Sequence, residues 1–402
     1  MIIVMRIALV AAGSRGDVQP LLALGTGLRK RGHEVRMAAP AEFEPLVEAA
    51  GLEYGFLPGG PATMRKVSTT VSLAREIAMS YDIHLDELLT ETAAACRRRD
   101  VVVDTAMSHT DAVTSSGVPW CTALLWPITP TAAFPAMPLP DFPIGGVFRR
   151  TYNRLSHGAL TSLAPPLARS LGVAPPGLET NWQWFGRERP GLYAFSPSVV
   201  APPPDWPPDT HVTGYWFWDR AWEPPRALVA FLDRDPAPVA MTLGSLWMFA
   251  APNVVDMAAA AARRVNRRLL LLGGRQGETP ADVLGLDDDV DHAWLFPRVA
   301  AVIHHGGAGT TAAAARAGVP QVLVPCYGDQ PFWARRMRSL GVAAAAIPIR
   351  HLTAERLGRA LVQALNDTRI GDRAAELARR VRRDHGVEVA CGVIEEWAAR
   401  TA

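Results

Sequence analysis

Two runs of short apolar segments, each alternating with helical stretches, dominate this chain. In the first run, strands are predicted at 6–10, 34–39, 101–103 and 121–125. In the second run, they are predicted at 239–243, 269–272, 302–304 and 321–324. Parallel strands need a crossover connection, usually a helix, so this alternation predicts an α/β fold of parallel βαβ units.

A proline-rich segment at 201–208 separates the two runs. The chain has 402 residues, which is long for one core and suits two domains. We predict an N-terminal Rossmann-like domain at 1–205, a linker at 206–222 and a similar domain at 223–385. A helix at 386–402 is expected to pack back on the first domain. The two parallel sheets should face each other across a cleft, with ligands at the carboxyl ends of their strands.

Composition excludes several classes of protein. The formal net charge is only +2 and no basic run interleaves with aromatic residues, which disfavours a nucleic-acid partner. Four cysteines without CxxC spacing disfavour a zinc site or a disulfide framework. No apolar run reaches membrane-spanning length, and 1–12 lacks a signal peptide's basic head and cleavage site. A cytoplasmic monomer or homodimer without membrane insertion is therefore expected.

The strongest local signal is the segment 302–311, VIHHGGAGTT. A strand ends in two histidines, turns through small residues and enters an Ala-rich helix. Glycines let backbone N–H groups approach an anion, and a helix N-terminus carries partial positive charge. The segment predicts a diphosphate cradle without a lysine, because no GxxxxGK[ST] motif occurs. A tight turn that only packs a helix on a sheet is the alternative.

Two further strand-to-helix connections carry polar residues. Asp329 and Gln330 follow the strand 321–324 and offer a carboxylate and an amide suited to sugar hydroxyls. Asp17 follows the first strand within Gly13–Pro20, a helix being predicted to start at Pro20. For both aspartates the alternative is a helix cap. No acidic residue ends the second strand, which disfavours a nicotinamide or flavin cofactor.

A proline-rich stretch from Trp126 to Gly146 is predicted to be a long loop over the first domain. Its larger apolar side chains could line a pocket for an apolar substrate, the acceptor of any group transferred; these are Trp126, Phe134, Met137 and Phe142.

Three motifs in this order, GSRGDVQP at 13–20, HHGGAGT at 304–310 and GDQPFW at 328–333, resemble the nucleotide-sugar glycosyltransferase family of GT-B fold. The similarity extends over essentially the whole chain, including TGYWF at 213–217 and TLGS at 242–245. The bacterial branch with sterol-type, glycopeptide and polyketide glycosyltransferases is the most similar. The resemblance implies an NDP-sugar as co-substrate, with dTDP and UDP both open, and no other cofactor. It also implies that the domain at 1–205 binds the acceptor and that the domain at 223–385 binds the nucleotide sugar.

The resemblance assigns roles residue by residue. The donor diphosphate is expected to contact His305, Gly307, Gly309, Thr310 and Ser245. The nucleobase is expected near Trp294 and Gly244, and the donor sugar at Asp329 and Gln330. Asp17 stands where many relatives carry a catalytic histidine, which leaves Asp17, with Ser14, as the candidate base.

These assignments predict an inverting transferase in which Asp17 accepts the proton of an acceptor hydroxyl. The acidic runs 287–289 and 233–235 superficially match metal-binding DxD motifs, but neither is placed at the expected diphosphate, so no metal is predicted. A nucleotide-sugar 2-epimerase, a non-catalytic nucleotide-sugar-binding helper and a membrane-surface transferase are the competing hypotheses.

Overall fold

The computed structural model describes residues 4–59, 85–105, 110–137, 139, 141–142, 145–170, 189–244, 247, 253–273, 280–286 and 289–401. The chain divides into two compact units. Unit 1 comprises Met1–Pro197, Ala201–Trp218 and Asp384–Ala402, and unit 2 comprises Ser198–Val200 and Asp219–Arg383. The boundary after Trp218 falls inside the predicted linker, and the boundary before Asp384 lies close to the predicted start of the last segment.

Unit 1 is built on a seven-stranded parallel sheet. Its strands are β1 (Arg6–Val10), β2 (Glu34–Pro40), β3 (Glu53–Leu57), β4 (Val101–Thr105), β5 (Trp120–Leu124), β6 (Gly191–Tyr193) and β7 (Thr210–Val212). Their order is β3-β2-β1-β4-β5-β6-β7, so the winding reverses between β1 and β4. Ligands of open α/β sheets bind at such a reversal, beyond the carboxyl ends of the strands. The segment from Gly13 to Asp17 follows β1 at this point.

Five helices of unit 1 connect the strands of its sheet. They are α1 (Arg15–Lys30), α2 (Glu44–Ala49), α3 (Leu85–Cys96), α4 (Thr110–Ser115) and α5 (Gly146–Ser170). The predicted start of α1 at Pro20 is wrong, because the helix begins five residues earlier, at Arg15, with Ser14 as its N-cap. The long α5 follows the proline-rich loop, and no element was predicted for it. The sequence also predicts a helical stretch at 67–99, of which residues 67–84 lie outside the described residues and residues 85–96 form α3.

Unit 2 has a six-stranded parallel sheet of order β10-β9-β8-β11-β12-β13. The strands are β8 (Val239–Thr242), β9 (Leu269–Leu272), β10 (Val283–Leu286), β11 (Ala301–His304), β12 (Gln321–Leu323) and β13 (Ala343–Ala346). The helices are α6 (Arg226–Leu232), α7 (Val254–Arg264), α8 (His292–Leu295), α9 (Ala308–Ala317), α10 (Gln330–Ser339), α11 (Ala354–Asn366) and α12 (Thr368–Val381).

Successive residues of the unit 2 strands pack alternately into two separate cores, one on each face of the sheet. Met241 and Ile303 are fully buried in the cluster that includes α7 and α11. Their neighbours Ala240 and Val302 are fully buried in the other cluster, with Phe296. Because successive side chains of a strand point to opposite faces, continuous apolar runs mark strands covered by helices on both sides. The predicted parallel sheet of βαβ units is thus confirmed in unit 2.

The last helix, α13 (Gly386–Thr401), belongs to unit 1 and packs against α1. Glu395 accepts hydrogen bonds from the Arg31 guanidinium at 2.6 Å and lies 2.9 Å from Nε2 of the buried His33. Close approach of the two helices depends on Gly27, where an added Cβ would lie 2.4 Å from Cγ1 of Val387. Across the part of the chain that the structure describes, no helix has both the length and the apolarity needed to cross a bilayer.

Replacing Gly27 with alanine is expected to lower the free energy of unfolding of unit 1 by ~1–3 kcal/mol, the usual cost of overpacking. The added methyl group would collide with Val387 on α13. Urea unfolding monitored by circular dichroism measures the change. Gly392→Ala in α13 is the matched control, since no atom lies within 4 Å of its added Cβ. An equal loss of stability in both variants would contradict this packing.

Candidate functional site

The turn between β11 and α9 in unit 2 is formed by backbone with almost no side chains. His304 ends β11, Gly306 adopts a left-handed conformation with φ of +88°, and Gly307 is the N-cap of α9. The first amides of a helix have no acceptor within it, so the first turn of α9 presents N–H groups with partial positive charge. No atom of the described residues lies within 4 Å of a Cβ added at Gly309, so none of them covers this turn at that position.

The two adjacent histidines face different environments. His304 is fully buried, its Nδ1 accepts the Gly306 N–H at 3.2 Å, and its Nε2 lies 3.1 Å from Oε1 of Gln321. Burial lowers the pKa of His304 to about 3, and the nearby His305 adds a smaller part of that shift. His304 is therefore neutral at physiological pH.

His305 is half-buried, and its ring lies close to Gly244 and Gly307. A Cβ on Gly307 would be 2.4 Å from its Nε2, and one on Gly244, at φ of +55°, would be 3.2 Å from its Cε1. Burial lowers the pKa of His305 to about 4, and the Thr242 carbonyl offsets part of that shift. Its buried Nδ1 makes no well-directed hydrogen bond to any described residue. Gly244 and Gly307 thus fix the position of a neutral imidazole beside the open turn.

Thr310 follows Gly309 in the first turn of α9 and is half-buried. The neighbouring Thr311 is fully buried, and its hydroxyl has no hydrogen-bond partner among the described residues. Ser245, the other residue predicted at the diphosphate, lies outside the described residues.

The predicted sugar-binding pair in unit 2, Asp329 and Gln330, makes two different sets of contacts. Gln330 is buried, and its Oε1 accepts N–H bonds from Cys326 at 2.8 Å and Tyr327 at 3.3 Å. Asp329 accepts the indole N–H of Trp333 at 2.8 Å. Gln330 therefore holds the loop between β12 and α10, and only its amide NH₂ remains for a ligand. Asp329 is fixed in place by a neighbour one helical turn away.

Trp294, predicted near the nucleobase, lies half-buried in α8. The Arg298 guanidinium covers its ring at 4.2 Å from the centroid, and Trp222 packs at 5.5 Å. One ring face is thereby occupied by a cation within unit 2. A stacked base would have to use the remaining surface of Trp294 or displace Arg298.

In unit 1, Asp17 and Ser14 form a reciprocal cap at the start of α1. Oδ2 of Asp17 accepts the Ser14 N–H at 2.8 Å and the Ser14 hydroxyl at 3.0 Å. Oγ of Ser14 in turn accepts the Gly16 N–H at 3.3 Å. A Cβ on Gly13, at φ of +117°, would lie 2.6 Å from the same Oδ2. The capping role anticipated as the alternative for Asp17 is therefore present.

The cap does not make Asp17 an ordinary surface carboxylate. Both hydrogen bonds from Ser14 fall on Oδ2, and they stabilise the charged form. Burial outweighs them and raises the pKa of Asp17 to about 6. Near neutral pH such a carboxylate is mostly ionised and more basic than a solvated aspartate. That is the property a general base requires.

The predicted loop after β5 has no helix or strand in its described residues before α5 begins at Gly146. It is nonetheless tightly held. The Tyr193 hydroxyl accepts the Ile128 and Thr129 N–H groups at 3.0 and 2.8 Å, and Asp205 accepts the Thr131 hydroxyl at 2.6 Å. The sequence analysis missed Tyr193 and Asp205, because both are remote in sequence from the loop.

The four apolar loop residues differ in exposure. Phe134 packs edge-on against Trp206 at 6.2 Å, which anchors the loop. Trp126 and Met137 are half-buried. Phe142 is 48% exposed and lies 5.3 Å from the Tyr152 ring on α5. Phe134 thus supports the loop, and Phe142 is the most exposed of the four side chains.

No group of three or more His, Cys, Asp or Glu side chains converges as metal ligands would in the described residues. Of the acidic run 287–289, Asp287 and Asp288 lie outside those residues, and Asp289 is paired with Arg220.

Comparison with known proteins matches both halves of the chain. Residues 7–112 match the Glycosyltransferase family 28 N-terminal domain. Residues 277–395 match the Erythromycin biosynthesis protein CIII-like, C-terminal domain. O-mycaminosyltylonolide 6-deoxyallosyltransferase of Streptomyces fradiae is 43% identical over 98% of each chain. Sterol 3-beta-glucosyltransferase of Cryptococcus neoformans var. neoformans serotype D is 33% identical over 95% of this chain and 26% of its own length.

Solved structures agree in fold at low sequence identity. The glycosyltransferase of kitacinnamycin superposes with a TM-score of 0.69 at 21% identity, covering 99% of this chain and 100% of its own. Glycosyltransferase VinC in complex with DTDP superposes with a TM-score of 0.67 at 20% identity, covering 98% and 100%. The predicted two-domain α/β architecture is confirmed over nearly the whole chain.

Replacing Gly307 with alanine is expected to weaken binding of a nucleoside diphosphate by about tenfold or more, the effect of ~1.4 kcal/mol. The methyl group would meet Nε2 of His305 at 2.4 Å and displace the ring from the turn. Isothermal titration calorimetry with thymidine diphosphate and with UDP measures the loss. Gly371→Ala in α12 is the control, because nothing lies within 4 Å of its added Cβ. Unchanged affinity in the Gly307 variant would exclude this turn as the binding site.

Proposed function

The chain belongs to the family of GT-B glycosyltransferases. We propose that it transfers a deoxysugar from a thymidine diphosphate sugar to a hydroxyl of an apolar acceptor in natural-product biosynthesis. The transfer inverts the anomeric carbon and needs no metal. A 6-deoxyallosyltransferase among its relatives supports the sugar class, and the complex of VinC with DTDP supports the nucleotide.

The single observation that carries this proposal is the turn between β11 and α9. Small residues, a helix N-terminus and a neutral histidine converge there in unit 2. Diphosphates bind at such termini, because backbone N–H groups and the helix dipole favour an anion. His305 and Thr310 add side-chain hydrogen-bonding groups beside those amides. The cradle supplies positive potential without a lysine or a metal ion.

The reaction is a single displacement. The acceptor oxygen forms a bond to the anomeric carbon as the bond from that carbon to the diphosphate oxygen breaks. The electron pair of the breaking bond leaves with the nucleoside diphosphate, whose growing charge the first turn of α9 stabilises. One preorganised hydrogen-bond donor of this kind can lower the activation free energy by ~3 kcal/mol. Attack from the face opposite the leaving group produces inversion.

The acceptor proton passes to Asp17 in this proposal. Its carboxylate is ionised at neutral pH and has a pKa of about 6. Ser14 holds Oδ2 through two hydrogen bonds and leaves Oδ1 without a bond from another described residue. Oδ1 is therefore the atom assigned to the proton. Ser14 is a positioning residue, because its hydroxyl donates to the carboxylate and accepts from the backbone.

Replacing Asp17 with asparagine is expected to lower kcat by ~10²–10⁴, the usual contribution of a general base. The amide oxygen still accepts the Ser14 N–H, so the cap and the affinity for thymidine diphosphate should persist. Steady-state transfer assays and calorimetry measure the two quantities. Glu48→Gln, which removes an exposed carboxylate of unit 1, is the control. Undiminished kcat in the Asp17 variant would remove this residue from the role.

The pH dependence of transfer tests the same group without removing it. Because the base must be ionised, kcat should fall as pH decreases through about 6. Ser14→Ala removes a hydrogen bond that lowers the pKa of Asp17, so the acidic fall should move to higher pH. Loss of the cap should also cost ~1 kcal/mol of stability. Ser14→Thr retains the hydroxyl and should keep the original profile; identical profiles for Ser14→Ala and the unsubstituted protein would count against the assignment.

A further inference from the structure

The fully buried His304 is not itself part of the open turn, yet it contacts the backbone that forms it. Its Nδ1 accepts the N–H of Gly306 at 3.2 Å. The backbone of His304 is also held, because the Val324 N–H donates to the His304 carbonyl at 2.8 Å. The Gly306 N–H therefore points back at the histidine ring.

The second ring nitrogen fixes the tautomer that this contact needs. Nδ1 can accept only when it carries no proton, so the proton of the neutral ring is on Nε2. Nε2 faces Oε1 of Gln321 at 3.1 Å, and a side-chain oxygen can only accept there. Gln321 is also fully buried, on the adjacent strand β12. The chain of contacts thus runs from Gln321 through the imidazole to the backbone of the turn.

The conformation of Gly306 matters because the next residue caps α9. Gly306 has φ of +88°, and a Cβ there would lie 3.2 Å from the Gln330 carbonyl oxygen. A buried N–H without an acceptor is unfavourable, so losing the imidazole acceptor would favour rotation of this peptide group. Such a rotation would redirect the first amides of α9.

We propose that His304 is a positioning residue for the donor diphosphate: its Nδ1 holds the Gly306 N–H and thereby aims the first turn of α9. The adjacent His305 is the histidine that faces the ligand. Gln321 sustains the arrangement by keeping the His304 proton on Nε2. This inference rests on the proposed function, since it describes how the same site is held.

Two substitutions of His304 separate the two ring nitrogens. In His304→Asn, the side-chain oxygen can take the place of Nδ1 and accept the Gly306 N–H. In His304→Gln, the longer side chain can reach Gln321 and leaves the Gly306 N–H without its acceptor. Affinity for thymidine diphosphate should stay near the original value in the Asn variant and fall about tenfold in the Gln variant, equivalent to ~1.4 kcal/mol.

Gln321→Leu tests the account at a distance from the ligand and guards against misfolding of His304→Gln. Leucine has a comparable volume but no amide, so it removes the acceptor of Nε2 and the His304 proton can move to Nδ1. Affinity should then fall severalfold, while the unfolding temperature shows that the protein remains folded. Isothermal titration calorimetry with thymidine diphosphate is the measurement for all three variants.

The outcomes are distinct. Equal affinities for the Asn and Gln variants, or an unchanged affinity in Gln321→Leu, would overturn the positioning role and leave the proposed function standing. If the unsubstituted protein binds neither thymidine diphosphate nor UDP, the proposed function fails and this inference fails with it.

Discussion

The short connection from β11 to α9 is the constraint on which the donor site depends. A strand can enter a helix this tightly only if Gly306 adopts positive φ and Gly307 has no side chain against His305. The same requirement removes the side chains that would otherwise cover the helix terminus. The same small residues therefore serve both the local backbone geometry and the proposed binding of an anion, which requires no cationic side chain at the turn.

The corresponding connection in unit 1 follows the same route from strand to helix but carries the opposite chemistry. After β1, Gly13 has positive φ and makes room for the Asp17 carboxylate, which caps α1 together with Ser14. Burial raises the pKa of this acid, whereas burial of the histidines in unit 2 lowers theirs. In each case low solvation favours the neutral form. The result is a carboxylate of increased basicity in one unit and uncharged imidazoles in the other.

Much of the fold could be predicted from sequence, because strands covered on both faces are continuous apolar runs. The strand at 269–272 has the predicted bounds, and both parallel sheets were anticipated. The start of α1 was misplaced because Pro20 was taken as a first-turn residue, while the Ser14–Asp17 cap already closes an earlier turn. The helices α5 and α12 were not assigned, and in α5 the sequence carries Pro165 and Pro166, which are unfavourable inside a helix.

The candidate site could be located from motifs, but its internal division of labour could not. Sequence alone does not reveal that His304 faces the core and His305 the open turn, or that Oε1 of Gln330 is already engaged by Cys326 and Tyr327. The Arg298 guanidinium over Trp294 is likewise a tertiary contact. Each depends on which atoms of neighbouring elements meet, information that motif spacing does not contain.

The most direct test of the central claim is a crystal structure of the chain with thymidine diphosphate. The account predicts both phosphates at the first turn of α9, with oxygens at hydrogen-bond distance, ~3 Å, from its leading amides. It also predicts His305 against the diphosphate and His304 still bonded to the Gly306 N–H. A diphosphate bound elsewhere on unit 2, with this turn left to solvent, would contradict it.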